Sequence, residues 1–144
     1  AFGLELVGDV SSNRIGYLSP TTYADWGTTQ RMEWTYQPVY AEGNRAFHDR
    51  LEVIMETGVG LTSGQGSDPE MMMDVSDDGG RTWQALPNMK IGKIGEHQKR
   101  VVWPQLGSSF DRVYRGAISD PVRATLIDTQ LEARGARPFT RRAA

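Results

Sequence analysis

Turn-forming residues interrupt this chain so often that no apolar pattern runs far enough for long helices. Sixteen glycines and seven prolines fall within 144 residues. Between them lie about nine short segments at intervals of roughly ten to fifteen residues, the spacing of an antiparallel all-β domain. The clearest segment is residues 31–40. Met32, Trp34, Tyr36, Pro38 and Tyr40 fall on one face, and Glu33, Thr35, Gln37 and Val39 on the other. A period of two is the mark of a strand with unlike faces. Pro38 has no N–H for a ladder, which predicts an edge or a bulge near the end of this strand. Further strands are predicted over residues 4–10, 14–18, 51–57, 70–75, 89–95, 99–106, 110–119 and 122–131. In the last, Val122, Ala124 and Leu126 form the better-defined apolar side. The expected fold is all-β: antiparallel sheets forming a sandwich or a partial β-propeller, with long Gly-rich loops. A complete propeller of four-stranded blades, at about 40 residues each, needs more chain than this.

The centre of the chain is residues 74–83, Asp-Val-Ser-Asp-Asp-Gly-Gly-Arg-Thr-Trp. They read as a strand end, a tight acidic turn and a new strand. Gly79 and Gly80 accept the positive φ of a two-residue hairpin loop. Asp77 and Asp78 can fold back onto turn N–H groups, and Trp83 is expected to anchor the hairpin in a core. Ser76, Asp78, Gly80, Thr82 and Trp83 together resemble an Asp-box, a β-hairpin device of sialidases and other propellers. That resemblance implies a structural turn and no activity.

The remaining segments carry weaker signals. Residues 41–49 are polar enough for one helical turn, with His48 expected at the surface. Residues 58–69 hold four glycines and a proline. A phosphate-cradling loop would lead into a helix with Lys and Ser or Thr; a strand follows instead, so a long flexible loop is expected. Met71, Met72 and Met73 must divide between the two faces of their strand. Core packing is one use for them. With Trp34, Tyr36 and Tyr40 they are also the candidate subunit interface.

Absence of cysteine removes disulfides, thiolate metal sites and thiol nucleophiles. His48 and His97 are the only histidines, and no nucleophilic triad or metal-ligand spacing includes them. No apolar run approaches the roughly 18 residues of a membrane helix, so no membrane anchor is expected. Residues 133–144 contain Arg134, Arg137, Arg141 and Arg142 and no acid; against a net charge of −2, this leaves −6 for residues 1–132. The chain therefore divides into a single β domain, residues 1–132, and a basic C-terminal tail, residues 133–144, the candidate partner-binding segment.

One ordered series of residues is similar to a known family. It runs through residues 56–60, 64–69, 76–83 and 92–96, then Trp103, Leu106, Gly107, residues 111–115 and residues 118–122. The series resembles the packaged-DNA stabilisation proteins of short-tailed bacteriophages, also called tail accessory or tail nozzle proteins. The resemblance implies a non-catalytic virion component of the tail. It implies a homo-oligomeric ring, six-fold in the well-known case, below the portal and its head-to-tail adaptor. Tail needle or tail fibre proteins would be neighbours, and genomic DNA would touch the channel transiently. No cofactor or metal is implied. Family members are usually longer, so the chain would correspond to a C-terminal portion or a reduced relative. Thirteen of the basic residues are arginines, as a sialidase site would need, yet such a site is gathered from a whole propeller. A carbohydrate-binding module of a phage fibre or secreted protein, with Trp34 and Tyr36 as its platform, is the alternative.

Overall fold

The structure, a computed structural model, describes residues 3–136. Two small antiparallel ribbons come first: β1 (Leu6–Gly8) with β2 (Ile15–Tyr17), and β3 (Ala24–Asp25) with β4 (Thr28–Thr29). Then come β5 (Met32–Thr35), β6 (Val39–Tyr40), β7 (Ala46–Met55), β8 (Glu70–Ser76) and β9 (Gln84–Ala85). The chain ends with β10 (Met89–Lys90), β11 (Val101–Pro104), β12 (Ser108–Ser109), β13 (Asp111–Ile118) and β14 (Leu126–Gly135). The later strands make two antiparallel sheets. In one, β8 and β13 are central, flanked by β9 and β10 on one side and by β5 and β6 on the other. In the other, β7 is central, with β11 and β12 along one edge and β14 along the other.

Alternation along β8 and β13 explains how the sheets meet. Met71, Met73 and Val75 turn inward, and the register sets Met73 against Gly116 and Val75 against Tyr114. Leu51, Val53 and Met55 of β7 face them, with Val101 and Trp103 of β11. Met71 and Met73 are completely buried; side chains of this size each contribute roughly 1.5–3 kcal/mol on burial. Trp103 also satisfies its indole across the sheets, donating to the Pro87 carbonyl at 2.7 Å. The outer face of the second sheet is polar: Glu52 is held by both Arg100 and Arg50, and Arg50 also reaches Glu132.

Several expectations are corrected. The predicted strand over residues 31–40 splits into β5 and β6, with residues 36–38 outside both. Residues 41–49 hold no helical turn; the chain turns at Glu42 and Gly43, both with positive φ, and β7 begins at Ala46. Its early start was hidden by a change of phase. Ala46 and His48 face inward, and so do Leu51, Val53 and Met55. The shift occurs where Asp49 lacks a partner on β14, a bulge that flips the alternation. A second irregularity leaves Ile127 unpaired and 68% exposed, so Leu126, Thr129 and Leu131 are the half-buried positions of β14. Residues 58–69 are less free than expected. Gly58, Gly60, Gly66 and Pro69 are buried, and the loop packs against residues 94–97 and Val122. The strand β14 runs through position 132 to Gly135, so no boundary separates the β domain from a tail there.

Gly116 shows how closely the packing is set. A Cβ at that position would lie 2.5 Å from the Trp34 ring and 3.0 Å from Met71. We expect Gly116→Ala to destabilise the fold by about 1–3 kcal/mol through overpacking. Urea denaturation followed by tryptophan fluorescence checks this.

Candidate functional site

The acidic turn is built from its carboxylate outward. Asp78 accepts from the Ser76 hydroxyl at 2.7 Å, the Arg81 N–H at 2.9 Å and the Thr82 N–H at 2.9 Å. Its second oxygen takes the Thr82 hydroxyl at 2.6 Å. Ser76 Oγ in turn accepts from the Gly80 N–H at 2.8 Å. These donors, the Thr82 hydroxyl foremost, hold the Asp78 carboxyl far below the usual carboxylate range. The carboxylate is committed inside its own loop. The loop is also longer than a two-residue turn: β8 ends at Ser76 and pairing resumes at Gln84, opposite Val75. Trp83 is not in the core. It lies half-buried beneath Arg115, whose guanidinium is 4.1 Å from the ring centre and pairs with Asp74 at 2.7 Å.

A polar chain closes the neighbouring end of the sandwich. Arg112 is only 6% exposed. It makes a bidentate pair with Asp77, at 2.6 and 2.8 Å, and donates to the Leu106 carbonyl. The Asp77 carboxylate raises its pKa further. Tyr114 hydrogen-bonds His48 Nδ1 at 3.0 Å, and His48 Nε2 meets the Ser109 hydroxyl at 2.9 Å. In either tautomer one ring nitrogen donates and the other accepts, so both are engaged. His48, expected at the surface, is 1% exposed. Burial, then the Arg112 charge, pushes its pKa down, and burial pushes that of Tyr114 up. No ring nitrogen is left over for a ligand. The signal for this network was the polar residue at an inward-facing position, concealed by the bulge at Asp49.

The candidate interface residues scatter. Met71 and Met73 are consumed by the core, while Met72 faces outward opposite Ala117. Trp34 and Tyr36 pack edge to face, 6.4 Å apart, against the core. The Tyr36 hydroxyl meets Thr129 Oγ1 at 2.8 Å and so ties the two sheets together. Tyr40 alone of the three aromatics is exposed, at 70%. It stands at one end of the sandwich with exposed Phe47 and Phe110. Arg45 lies over Phe110 and Arg134 over Phe47. Arg134, expected in a tail, is part of β14 and pairs with Asp49 at 3.0 Å. Arg137, Arg141 and Arg142 lie outside the described residues.

Sequence reasoning also passed over residues 4–30 as a surface. Leu4, Leu6, Val10, Ile15, Tyr17 and Leu18 are all exposed. Trp26 packs across Gly16, where a Cβ would sit 2.7 Å from the indole, and beneath Arg14. The ribbons meet the sandwich through a Thr29–Gln65 hydrogen bond at 3.2 Å and around an open cleft between Thr22, Gln30, Asp120 and Arg123. Two-stranded ribbons are marginal alone, and apolar exposure on this scale marks a contact surface.

Residues 31–134 match the family described as Bacteriophage P22 Gp10, beta-sandwich. The chain belongs to that family. No curated protein matches it significantly. The matched span covers β5 through all but the last residue of β14, which is the sandwich, and leaves out the ribbon arm. A phage tail-related family with this fold agrees with the two sheets described above. Among the described residues no helix is long and apolar enough to cross a membrane, and no group of three metal-ligating side chains gathers.

Two outcomes follow from the electrostatics. Asp78→Ala should speed amide exchange at Arg81 and Thr82 while leaving exchange in β7 and β13 unchanged, as NMR would show. The lowered His48 pKa means the unfolded chain takes up this proton more readily than the folded one. The contribution of His48 is complete above its ordinary pKa of 6.5 and is lost as pH falls below that value through the depressed folded pKa. Urea midpoints measured from pH 7.5 to 5 should fall, and His48→Gln should flatten that slope.

Proposed function

We propose that this chain is a structural protein of the bacteriophage tail, one subunit of a ring or nozzle that extends the tail channel and helps retain packaged DNA. The observation that carries the reading is the family match over the whole sandwich. Ring subunits need surfaces that only a neighbour covers, and the exposed arm supplies one. A channel that passes DNA should not grip it, and a net charge of −2 suits such a wall. The proposed neighbours are the portal or head-to-tail adaptor above and tail needle or fibre proteins below, with transient contact to the genome. The reading is non-catalytic: the buried His48 and the self-satisfied Asp78 have no free valence for chemistry.

The carbohydrate-binding alternative loses its platform. Trp34 and Tyr36 turn into the sandwich, where a sugar ring cannot stack on them. Native mass spectrometry and negative-stain imaging at micromolar concentration test the ring. Closed oligomers of defined copy number are expected; a monomer under these conditions would overturn the reading.

A further inference from the structure

The arm, residues 4–30, and the sandwich are built from separate sets of contacts. None of residues 4–30 is buried, and the hydrophobic core draws only on residues from Trp34 onward. The backbone hydrogen bonds of the arm close within it. β1 pairs with β2 and β3 with β4, the Asp9 N–H donates to the Arg14 carbonyl, and the Leu18 N–H donates to the Glu5 carbonyl. Among the described residues no backbone hydrogen bond and no ion pair joins the arm to the sandwich. One side-chain hydrogen bond crosses, from the Thr29 hydroxyl to Gln65 Oε1 at 3.2 Å.

What holds the arm together is its own. Trp26 reaches from the turn between β3 and β4 onto Gly16 in the middle of β2, and Arg14 lies over the same ring at 5.9 Å. The missing side chain at position 16 gives the indole its place. The two ribbons, marginal singly, are thereby fastened to each other. The sandwich begins just beyond them. Arg31 already belongs to it, paired with Glu33 at 3.0 Å and meeting Met72 Sδ at 3.8 Å, and Met32 pairs with Ile118. Between the two parts stands Gln30, exposed and in no strand. The family match begins at the same place, residue 31.

Parts of a chain open separately when the contacts between them are few beside the contacts within them. A hinge is a loop position that absorbs the change in backbone dihedrals. We propose that the arm is a hinged clamp: residues 4–30 turn about Gln30 as one body, closed on themselves by Trp26 against Gly16, and released from the sandwich when the Thr29–Gln65 bond breaks. The apolar side chains of the arm are then carried on a mount whose angle to the sandwich changes while the core stays intact. This inference is independent of the ring reading.

The chain has no cysteine, so introduced cysteine pairs in the full chain can be labelled specifically. Single-molecule fluorescence transfer at picomolar concentration reads each copy alone. Val10→Cys with Gln130→Cys spans arm and sandwich, and Val10→Cys with Thr28→Cys spans the two ribbons; all three positions are exposed. Distances from arm to sandwich should spread at least roughly twofold more widely than distances within the arm. Gly16→Val would place a Cβ 2.7 Å from the indole. It should widen the within-arm distribution to match, while amide exchange in β7, β8 and β13 stays within about twofold of its original rate. Equally narrow distributions for the two pairs would overturn the hinge and leave the ring reading untouched. A within-arm distribution already as wide as the other would overturn the clamp, because Trp26 would then fasten nothing. Faster exchange throughout β7, β8 and β13 in Gly16→Val would make the arm part of the sandwich's cooperative unit and overturn the proposal as a whole. Trp26→Ala removes the indole instead of displacing it and should act as Gly16→Val does; an unchanged within-arm distribution in both variants would also overturn the clamp.

Discussion

Arg112 keeps its charge at any pH that a folded protein survives, and here that charge is almost wholly withdrawn from water. Such a cation is tolerated only where it is paired and hydrogen-bonded. Asp77 supplies two and the Leu106 carbonyl a third. In doing so Arg112 fixes the loop after β8 and the loop between β11 and β12, which belong to different sheets. Tyr114, two residues on and on the same face, makes a second set of hydrogen bonds, to His48 and through it to Ser109 of the opposite sheet. One end of the sandwich is thus closed by polar groups and the middle by methionine, leucine, valine and Trp103.

That division gives the acidic turn its place. Asp77 and Asp78 are neighbours with separate tasks. The first reaches back to Arg112, and the second organises the loop through Ser76, Arg81 and Thr82. The sandwich accordingly looks like a scaffold whose inward-facing polar groups are spent on its own construction. What it leaves uncovered includes the apolar side chains of the arm and the exposed Tyr40, Phe47 and Phe110. These are the features a subunit of a larger assembly would bring to its neighbours.

Much of the sandwich was legible in the residues because alternation is a local property. Met71 and Met73 on one face of β8, with Met72 on the other, followed from the period of two. The Gly and Pro spacing gave the all-β class, and Asp78 folds back onto turn N–H groups as its place in the turn suggested, whereas Asp77, expected to do the same, pairs with Arg112 instead. Beyond the reach of local pattern were the two strand irregularities. One residue without a partner at Asp49 inverts β7, and another at Ile127 inverts β14, so the inward positions change parity partway along each strand. A periodicity test reads such a strand as noise or as two segments.

By itself, then, the amino-acid order determined the class of fold, the division of the methionines between two strand faces and the fold-back of Asp78 in its turn, since each depends on neighbours a few residues apart. Only the tertiary structure decided that His48 is interior, that Trp83 sits under Arg115 instead of in the core, and that Arg134 belongs to a strand. Those outcomes depend on partners 32 to 85 positions away. Whether a polar side chain is buried is settled by whether a distant donor or acceptor arrives to satisfy it, and a sequence read locally holds no record of that arrival.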